Sequence, residues 1–431
     1  MSVCKERAWE TLTKLSFERV TGTEAEKKAA EFLKSECEKA GVEAHLEEYE
    51  IDNPIIHEVS FKTTKPVEES YHVIGIGGSG TTPDEGIRAP LVYIENGNDV
   101  NLADIKGKIC LITGPTMPKK IEAMAKKGAV GFIAVHGTFY DEDSLKQELR
   151  PRNSRADKKY NLPGVVMQIS DAEKLVRSHP EEVEIVLKQD GEAKGKAQNV
   201  VATIEGTDLK DEIVAFSAHY DSVPYSPGAW DNGTGSSTIL ELMHYFAENK
   251  PRRTVKFIWC GSEEIGLVGS REYCKAHKDE MDQYIFNINF DMTGVTLGYE
   301  YFCCSASEEV RHALEYMAKV VNYAVETKMD LYASDSTSFA IAGVPSCSFA
   351  RLAPRGGAVI HDHRDTMEHL DPDSFMITLN FVVKFSSQII NAPVNVIPRS
   401  FAPEIEKKIE ERKKMMAKME GKKEEKETKT A

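Results

Sequence analysis

Residues 212–264 read EIVAFSAHYDSVPYSPGAWDNGTGSSTILELMHYFAENKPRRTVKFIWCGSEE, and their texture decides the fold. An apolar run, EIVAFSA, ends on His219. A loop rich in Ser, Pro and Gly follows and carries Asp221 and Asp231. TGSSTILELMHYFAEN then spaces its apolar residues as a helix does. A second apolar run, TVKFIWC, gives way to Gly261, Ser262 and the pair Glu263-Glu264. Strand, helix, strand, with a polar residue at each strand end, is the pattern of an open α/β sheet. Such sheets form their sites at the carboxyl ends of the strands.

The alternation continues downstream. GLVGSREYCKAH reads as a helix, and YIFNINFDM as a strand carrying Asp291 at its end. EEVRHALEYMAKVVNY is a helix, VPSCSFA a strand, and DSFMITLNFVVKFSSQII a long closing helix. The predicted fold is α/β, an open mixed, largely parallel sheet flanked by helices. Residues 5–41 read as two helices with a break near Gly22, and AHLEEYEI after them as a strand. From about residue 60 the texture differs: short β-type runs (SYHVIGIG, APLVYIENG, GKICLITGP, AVGFIAVHG, PGVVMQIS, VEIVLKQDG) alternate with turn signals. Two helical stretches, 119–127 and 171–177, interrupt them. The division expected is 1–59 and 196–397 as one α/β domain, 60–195 as a β-rich insertion, and 398–431 as a charged tail. In that tail Ile405, Ile409, Met416 and Met419 make a thin apolar stripe. A solvated, frayed helix is expected there, in preference to a docking or coiled-coil helix.

The bulk numbers exclude some partners. A net charge of -15 over 431 residues argues against nucleic acid and anionic membrane. No apolar run reaches membrane-spanning length. The N-terminal MSVCKERAWETLTKL lacks an apolar signal core, so a cytoplasmic location is expected, with a secreted form that has lost its signal as the alternative. The eight cysteines show no CxxC spacing and are expected to be buried, reduced thiols. Gly75–Gly80 fits G-x-G-x-x-G, but the two prolines after it oppose the helix that motif needs.

The polar residues at the strand ends form an ordered series: His219, Asp221, Asp231, Glu263, Glu264, Asp291 and, after the last strand, His361. Taken singly, each has an ordinary reading. Asp231 could cap a helix, and Glu263-Glu264 could be a solvated pair. Taken together, five imidazole and carboxylate ligands with one carboxylate to spare suit two zinc ions and a general base. Asp221 is placed to hold the free imidazole nitrogen of His219.

His-x-Asp, Trp-Asp-Asn-Gly, Glu-Glu, Asn-x-Asp-Met and His-x-x-x-Asp-Thr, in this order, resemble the co-catalytic di-zinc aminopeptidase family. APLVY, DIKGKICLI, GAVGFIAV and NLPGVVMQIS resemble the protease-associated domain that many of its members carry inserted. The resemblance implies the zinc-dependent exopeptidase fold and two Zn2+, with Co2+ or Mn2+ as substitutes. It implies that Asp231 bridges the metals, that His219 and Asp291 complete one site, and that Glu264 and His361 complete the other. Glu263 would be the general base, with Asp221 and Asp365 as supporting carboxylates. Asp335, in SDSTSFAIAGVP, is a candidate for the pocket wall. Some relatives place a tyrosine before the last histidine, where it can stabilise the oxyanion and where this chain has Ile360; either another donor such as Tyr225 or Tyr332 serves instead, or the second zinc alone carries that charge. The expected activity is removal of N-terminal residues from peptides with a free N-terminus. The alternatives are a related di-zinc carboxypeptidase or deacylase, a glutaminyl cyclase, and a non-catalytic receptor-like protein. A homo-oligomer or a tail-mediated contact is left open.

Overall fold

The computed structural model describes residues 3–430, with the side chains of 418–430 excepted. The chain divides into two compact units, Met1–Tyr49 with Lys196–Ala431, and Glu50–Gly195.

The first unit is built on eight strands: β1 (Ala44–Asp52), β2 (Lys194–Ile204), β3 (Leu209–His219), β4 (Arg253–Cys260), β5 (Tyr284–Phe290), β6 (Tyr299–Ser305), β7 (Val325–Met329) and β8 (Ser346–Leu352). Its helices are α1 (Lys5–Leu15), α2 (Glu24–Lys39), α3 (Thr234–Glu248), α4 (Val268–Ala276), α5 (Glu308–Val320), α6 (Ser336–Ile341), α7 (Pro372–Asn391) and α8 (Pro403–Thr430). The sheet order is β1-β2-β4-β3-β5-β8-β6-β7. The centre is parallel: β3 pairs in parallel with β4 and β5, and β5 with β8. The β2–β4 and β8–β6 pairs are antiparallel. The sheet is thus mixed and largely parallel, as expected.

The alternation of side chains along β3 explains why it must lie at the centre. Val214, Phe216 and Ala218 enter one apolar cluster with Leu240 and Phe246 of α3 and Leu379 and Phe385 of α7. Ile213 and Ala215 enter the cluster on the other face, with Tyr273 of α4 and Phe339 of α6. A strand apolar on both sides needs helices on both. At the foot of the sheet Arg253 is fully buried. Its guanidinium donates to the carbonyls of Ile389, Ile390 and Ala392 at 3.0, 3.3 and 2.6 Å. It pairs with Glu212 at 2.6 Å, and so satisfies the carboxyl end of α7.

Glu50–Gly195 holds a six-stranded and a four-stranded sheet. Phe61, Val183 and Ile185 of the smaller sheet share a core with Ile109, Leu111, Ile133 and Val165 of the larger. Strand Ile55–Lys65 starts ahead of the change of texture at residue 60. Its first residues pair with Glu182–Asp190, Ile55 facing Asp190, which draws residues 50–59 into this unit. Helices Pro118–Lys126 and Ile169–Arg177 match the two expected; a third, Asp143–Gln147, is one short turn with no apolar periodicity to announce it. After Gly75–Gly80 the next helix begins only at Pro118. No helix among the described residues is long and apolar enough to cross a membrane.

The tail departs from the sequence expectation. Its first turns are docked rather than frayed. Ile405 and Ile409 are buried with Ala340 and Ala402, against Met329, Leu331 and Phe401, and Lys408 reaches Asp330 at 2.5 Å. Met416 is partly exposed, and Met419 lies outside the described side chains. The apolar stripe is real over one and a half turns and ends where its partner surface ends. Replacement Ile405→Ala should therefore cost about 2–5 kcal/mol, whereas Met415→Ala, on the exposed part, should stay within about 0.5 kcal/mol. Urea unfolding midpoints of the two variants check this.

Candidate metal centre

β4, β3 and β5 lie side by side and run in parallel, so their carboxyl ends share one rim. His219 is the last residue of β3. Glu263 and Glu264 follow β4 across the turn Gly261-Ser262, and Asp291 follows β5 directly. Asp231 comes from the loop between β3 and α3, and His361 from the loop between β8 and α7. Five elements far apart in sequence converge here.

The ligand-type atoms fall into two trios that share Asp231. His219, Asp231 and Asp291 form one, and Asp231, Glu264 and His361 the other, each with its donor atoms within 4.8 Å of one another. Asp231 divides its oxygens between them. Oδ1 is 3.2 Å from Nε2 of His219, and Oδ2 is 3.0 Å from Nε2 of His361. Nε2 of His219 also lies 3.7 Å from Oδ1 of Asp291, and Nε2 of His361 lies 3.2 Å from Oε1 of Glu264. Glu263 is in neither trio, and neither contains a cysteine. Cys303 and Cys304 are buried, as are all the cysteines except Cys4.

Carboxylates and amides around the trios fix the loops that deliver them. Asp221 is fully buried. It accepts from the backbone N–H of Glu263 at 3.0 Å and of Glu264 at 3.2 Å, one bond to each oxygen. Its Oδ1 is 3.5 Å from Nδ1 of His219, a longer contact than those two bonds. The support expected for the imidazole is therefore shared with the glutamate turn. Asp365 accepts from the N–H of Trp230 at 2.8 Å and of Asp231 at 3.1 Å. It thus holds the strap that presents the shared aspartate. Asn232, absent from the sequence expectation, ties that strap to β5. Its Nδ2 donates to Phe290 O at 2.8 Å, and its Oδ1 accepts from Gly235 N at 2.9 Å and Met292 N at 3.2 Å. An asparagine after Asp231 gives no sign in sequence of reaching a strand 58 residues on. Ser262, Met292 and His361, each a ligand or next to a candidate residue, have φ of 59°, 63° and 71°. Left-handed backbone at non-glycine residues is a strain that clusters at functional sites.

The remaining candidates separate. Asp335 is fully buried. Burial raises its pKa to about 7, and its charge in turn raises Glu263. Burial lifts the Tyr332 phenol well above its usual range, and the charges of Asp291 and Asp231 lift it further; it stands beside the acidic centre. Tyr225 is 41% exposed. Ile360 packs into an apolar cluster with Trp230, Leu12, Val295 and Leu370.

Electrostatics test whether these residues suit cations. Burial and the charges of Asp335 and Asp291 push Glu263 well above the carboxylate range, against the pull of His219. Burial and the charge of Asp231 push Glu264 up. At both imidazoles burial opposes the charged form, yet the surrounding carboxylates win. His219 is raised well above its usual value, and His361 is raised to about 9 by Asp231 and Glu264. Oδ1 of Asp291 is buried and accepts no hydrogen bond. So much buried negative charge calls for positive charge, and in the protein alone protons supply it. Imidazole nitrogens and carboxylate oxygens in these trios are ligands that zinc accepts. The residues fit a pair of divalent cations.

Comparison with known proteins agrees with this chemistry. Residues 199–386, which contain both trios and Glu263, match Peptidase family M28. Aminopeptidase YwaD of Bacillus subtilis (strain 168) is 28% identical over 387 residues, which cover 85% of this chain and 80% of that one. Carboxypeptidase Q of Homo sapiens is 24% identical over 400 residues, 89% of this chain and 84% of its own. The structure of BSAP, a zinc aminopeptidase from Bacillus subtilis, matches with a TM-score of 0.76 at 25% identity, covering 93% of this chain and 98% of that one. The resemblance read from the sequence motifs stands, and the segment bearing the site is similar to Peptidase family M28.

A metal-binding imidazole must be neutral, and His361 keeps its proton up to about pH 9 in the metal-free protein. Divalent cation uptake should therefore expel protons, and apparent affinity at the His361 trio should climb with pH towards about 9. Calorimetric titration of zinc into chelator-stripped protein, in buffers of different ionisation enthalpy, measures both effects. A pH-independent affinity without proton release would contradict the assignment.

Proposed function

From a segment similar to the M28 peptidases and two ligand trios joined by one aspartate, we propose that this chain is a two-zinc aminopeptidase. The single observation that carries the reading is the division of Asp231, one oxygen towards His219 and the other towards His361, with Glu263 left over. His219, Asp231 and Asp291 would hold one zinc; Asp231, Glu264 and His361 would hold the other. Zinc supplies polarisation of the scissile carbonyl and acidification of water. The protein supplies the rest. Asp365 and Asn232 hold the Asp231 strap, and Asp221 holds the turn that places Glu263 and Glu264.

Glu263 is the group to move the proton. Its raised pKa makes it a stronger base than an ordinary carboxylate, and a base poised nearer neutrality transfers protons in both directions more readily. Its carboxylate takes the proton of the attacking water and returns it to the departing amine. Replacing Glu263 with Gln removes only that capacity. We expect kcat to fall about 10²–10⁴-fold with two zinc ions per chain retained. Metal analysis beside steady-state kinetics checks it, and full turnover would remove Glu263 from this role.

The acidic surroundings of the trios favour the α-ammonium group of a peptide over its carboxylate. Support for the opposite polarity comes only from the relatives named Carboxypeptidase Q. A pair of blocked peptides separates the two. We expect a C-terminally amidated peptide to lose its first residue and an N-acetylated one to resist. Cleavage of the acetylated peptide from its carboxyl end would replace this reading with a carboxypeptidase.

A further inference from the structure

The N-terminal segment carries an arginine that neither the motifs nor the ligand trios use. Arg19 follows α1 and is fully buried. None of its guanidinium hydrogen bonds goes to a carboxylate; each goes to a main-chain carbonyl. Nε donates to Tyr220 O at 2.7 Å, and Nη2 to Gly228 O at 2.9 Å. Nη1 donates to Pro227 O at 2.7 Å, to Phe17 O at 2.6 Å and to Leu15 O. Three of these acceptors lie more than two hundred residues away, in the loop between β3 and α3.

Those acceptors bracket the loop. Tyr220 follows His219 directly. Pro227 and Gly228 precede Asp231 by four and three positions. One planar fork thus grips the loop at the start, next to the imidazole, and at the end, next to the shared aspartate. The backbone grips it too. Arg19 N donates to Ser222 Oγ at 2.9 Å, and Ser222 N donates to Arg19 O at 3.1 Å. Two residues on, Thr21 Oγ1 donates to Oδ2 of Asp221 at 2.9 Å, the oxygen that also accepts from Glu264 N. Gly228 leaves room for the grip: a Cβ there would stand 2.9 Å from Nη2 of Arg19 and 2.8 Å from Asp231 O, and its φ is +58°.

We infer that Arg19 is a positioning residue of the metal centre, fixing the spacing of His219 and Asp231 through the carbonyls of Tyr220, Pro227 and Gly228. The inference rests on the two-zinc reading above. The fork matters more than the charge, because a lysine keeps the charge and cannot reach carbonyls on both sides at once. Groups that hold ligands in place without touching the metal commonly carry about 10–100-fold in metal affinity.

Arg253 is the internal control. It is equally buried and also satisfies carbonyls, but at the carboxyl end of α7. The experiment compares wild type with Arg19→Lys, Arg19→Ala, Thr21→Val and Arg253→Met. Folded fractions are taken by circular dichroism, zinc affinity by competition with a chromogenic chelator, and site geometry by the visible bands of Co2+-loaded protein. We expect Arg19→Lys and Arg19→Ala to bind zinc about 10–100-fold more weakly with altered Co2+ bands, and millimolar methylguanidinium to restore part of the loss in Arg19→Ala. Thr21→Val, the mildest change, should weaken binding in the same direction. Arg253→Met should lower the unfolding midpoint and keep wild-type zinc affinity. The inference is overturned if folded Arg19→Lys binds zinc as wild type does with unchanged Co2+ bands. It is equally overturned if Arg253→Met loosens zinc as much as Arg19→Ala. If the arginine variants do not fold, wild-type affinity in Thr21→Val overturns it. Failure of wild type to take up two divalent ions would instead sink the two-zinc reading itself.

Discussion

Five carboxylates, from Asp221, Asp231, Glu263, Glu264 and Asp291, crowd one rim of a sheet whose strands are apolar on both faces. That crowding is the constraint on which the rest of the first unit depends. Buried like charges repel strongly where water is scarce, so the arrangement persists only if something positive sits among them or protons neutralise them. The raised pKa of His219, His361, Glu263 and Glu264 is the protein's own response. A cation pair would replace those protons. Backbone N–H groups contribute as well. Asp221 takes two from the glutamate turn, and Asp365 takes two from the Asp231 strap. Each of these bonds anchors a loop and offsets negative charge at the same time.

Parallel pairing brings the rim together. β3, β4 and β5 each end on or just before a candidate residue, and parallel neighbours bring those ends to one edge. The sequence made this legible because the signal is local: an apolar run followed by one polar residue. His219, Asp291 and the Glu263-Glu264 pair come from such places, whereas Asp231 and His361 come from loops and were found by their order in the series. The elements it hid lack that signal. β7 reads VETKM, half-exposed with alternating charge, and lies at the sheet edge. α6 is only six residues long. The docking of Ile405 and Ile409 depended on a surface formed by Met329, Leu331 and Ala340, which no stretch of the tail announces.

The support for the site was the least legible part. Asn232 reaches Phe290, Thr21 reaches Asp221, and Arg19 reaches Tyr220, Pro227 and Gly228. These contacts span 58 to 209 residues. Short polar residues in loops carry no periodicity, and one arginine in FERVTG looks like any other. What distinguishes Arg19 is its surroundings, five carbonyl oxygens facing a fully buried side chain. Such an environment exists only after folding.

Glu263 and Glu264 show how far environment outranks identity. They are neighbours of the same type, on the same turn, held by the same Asp221. Nothing in a Glu-Glu pair tells base from ligand except resemblance to other proteins. In the fold the turn points them to different partners. The Glu264 carboxylate lies 3.2 Å from Nε2 of His361 and joins the second trio. Glu263 lies outside both trios, and its main electrostatic neighbours are His219, Asp335 and Asp291. The carboxyl facing Asp335 and Asp291 is harder to ionise, which suits a group that must take up a proton and let it go. The carboxylate beside an imidazole and a shared aspartate suits coordination. The division of labour therefore follows from which way a two-residue turn faces, and that is set by Asp221, to which Thr21 of the N-terminal segment is bound.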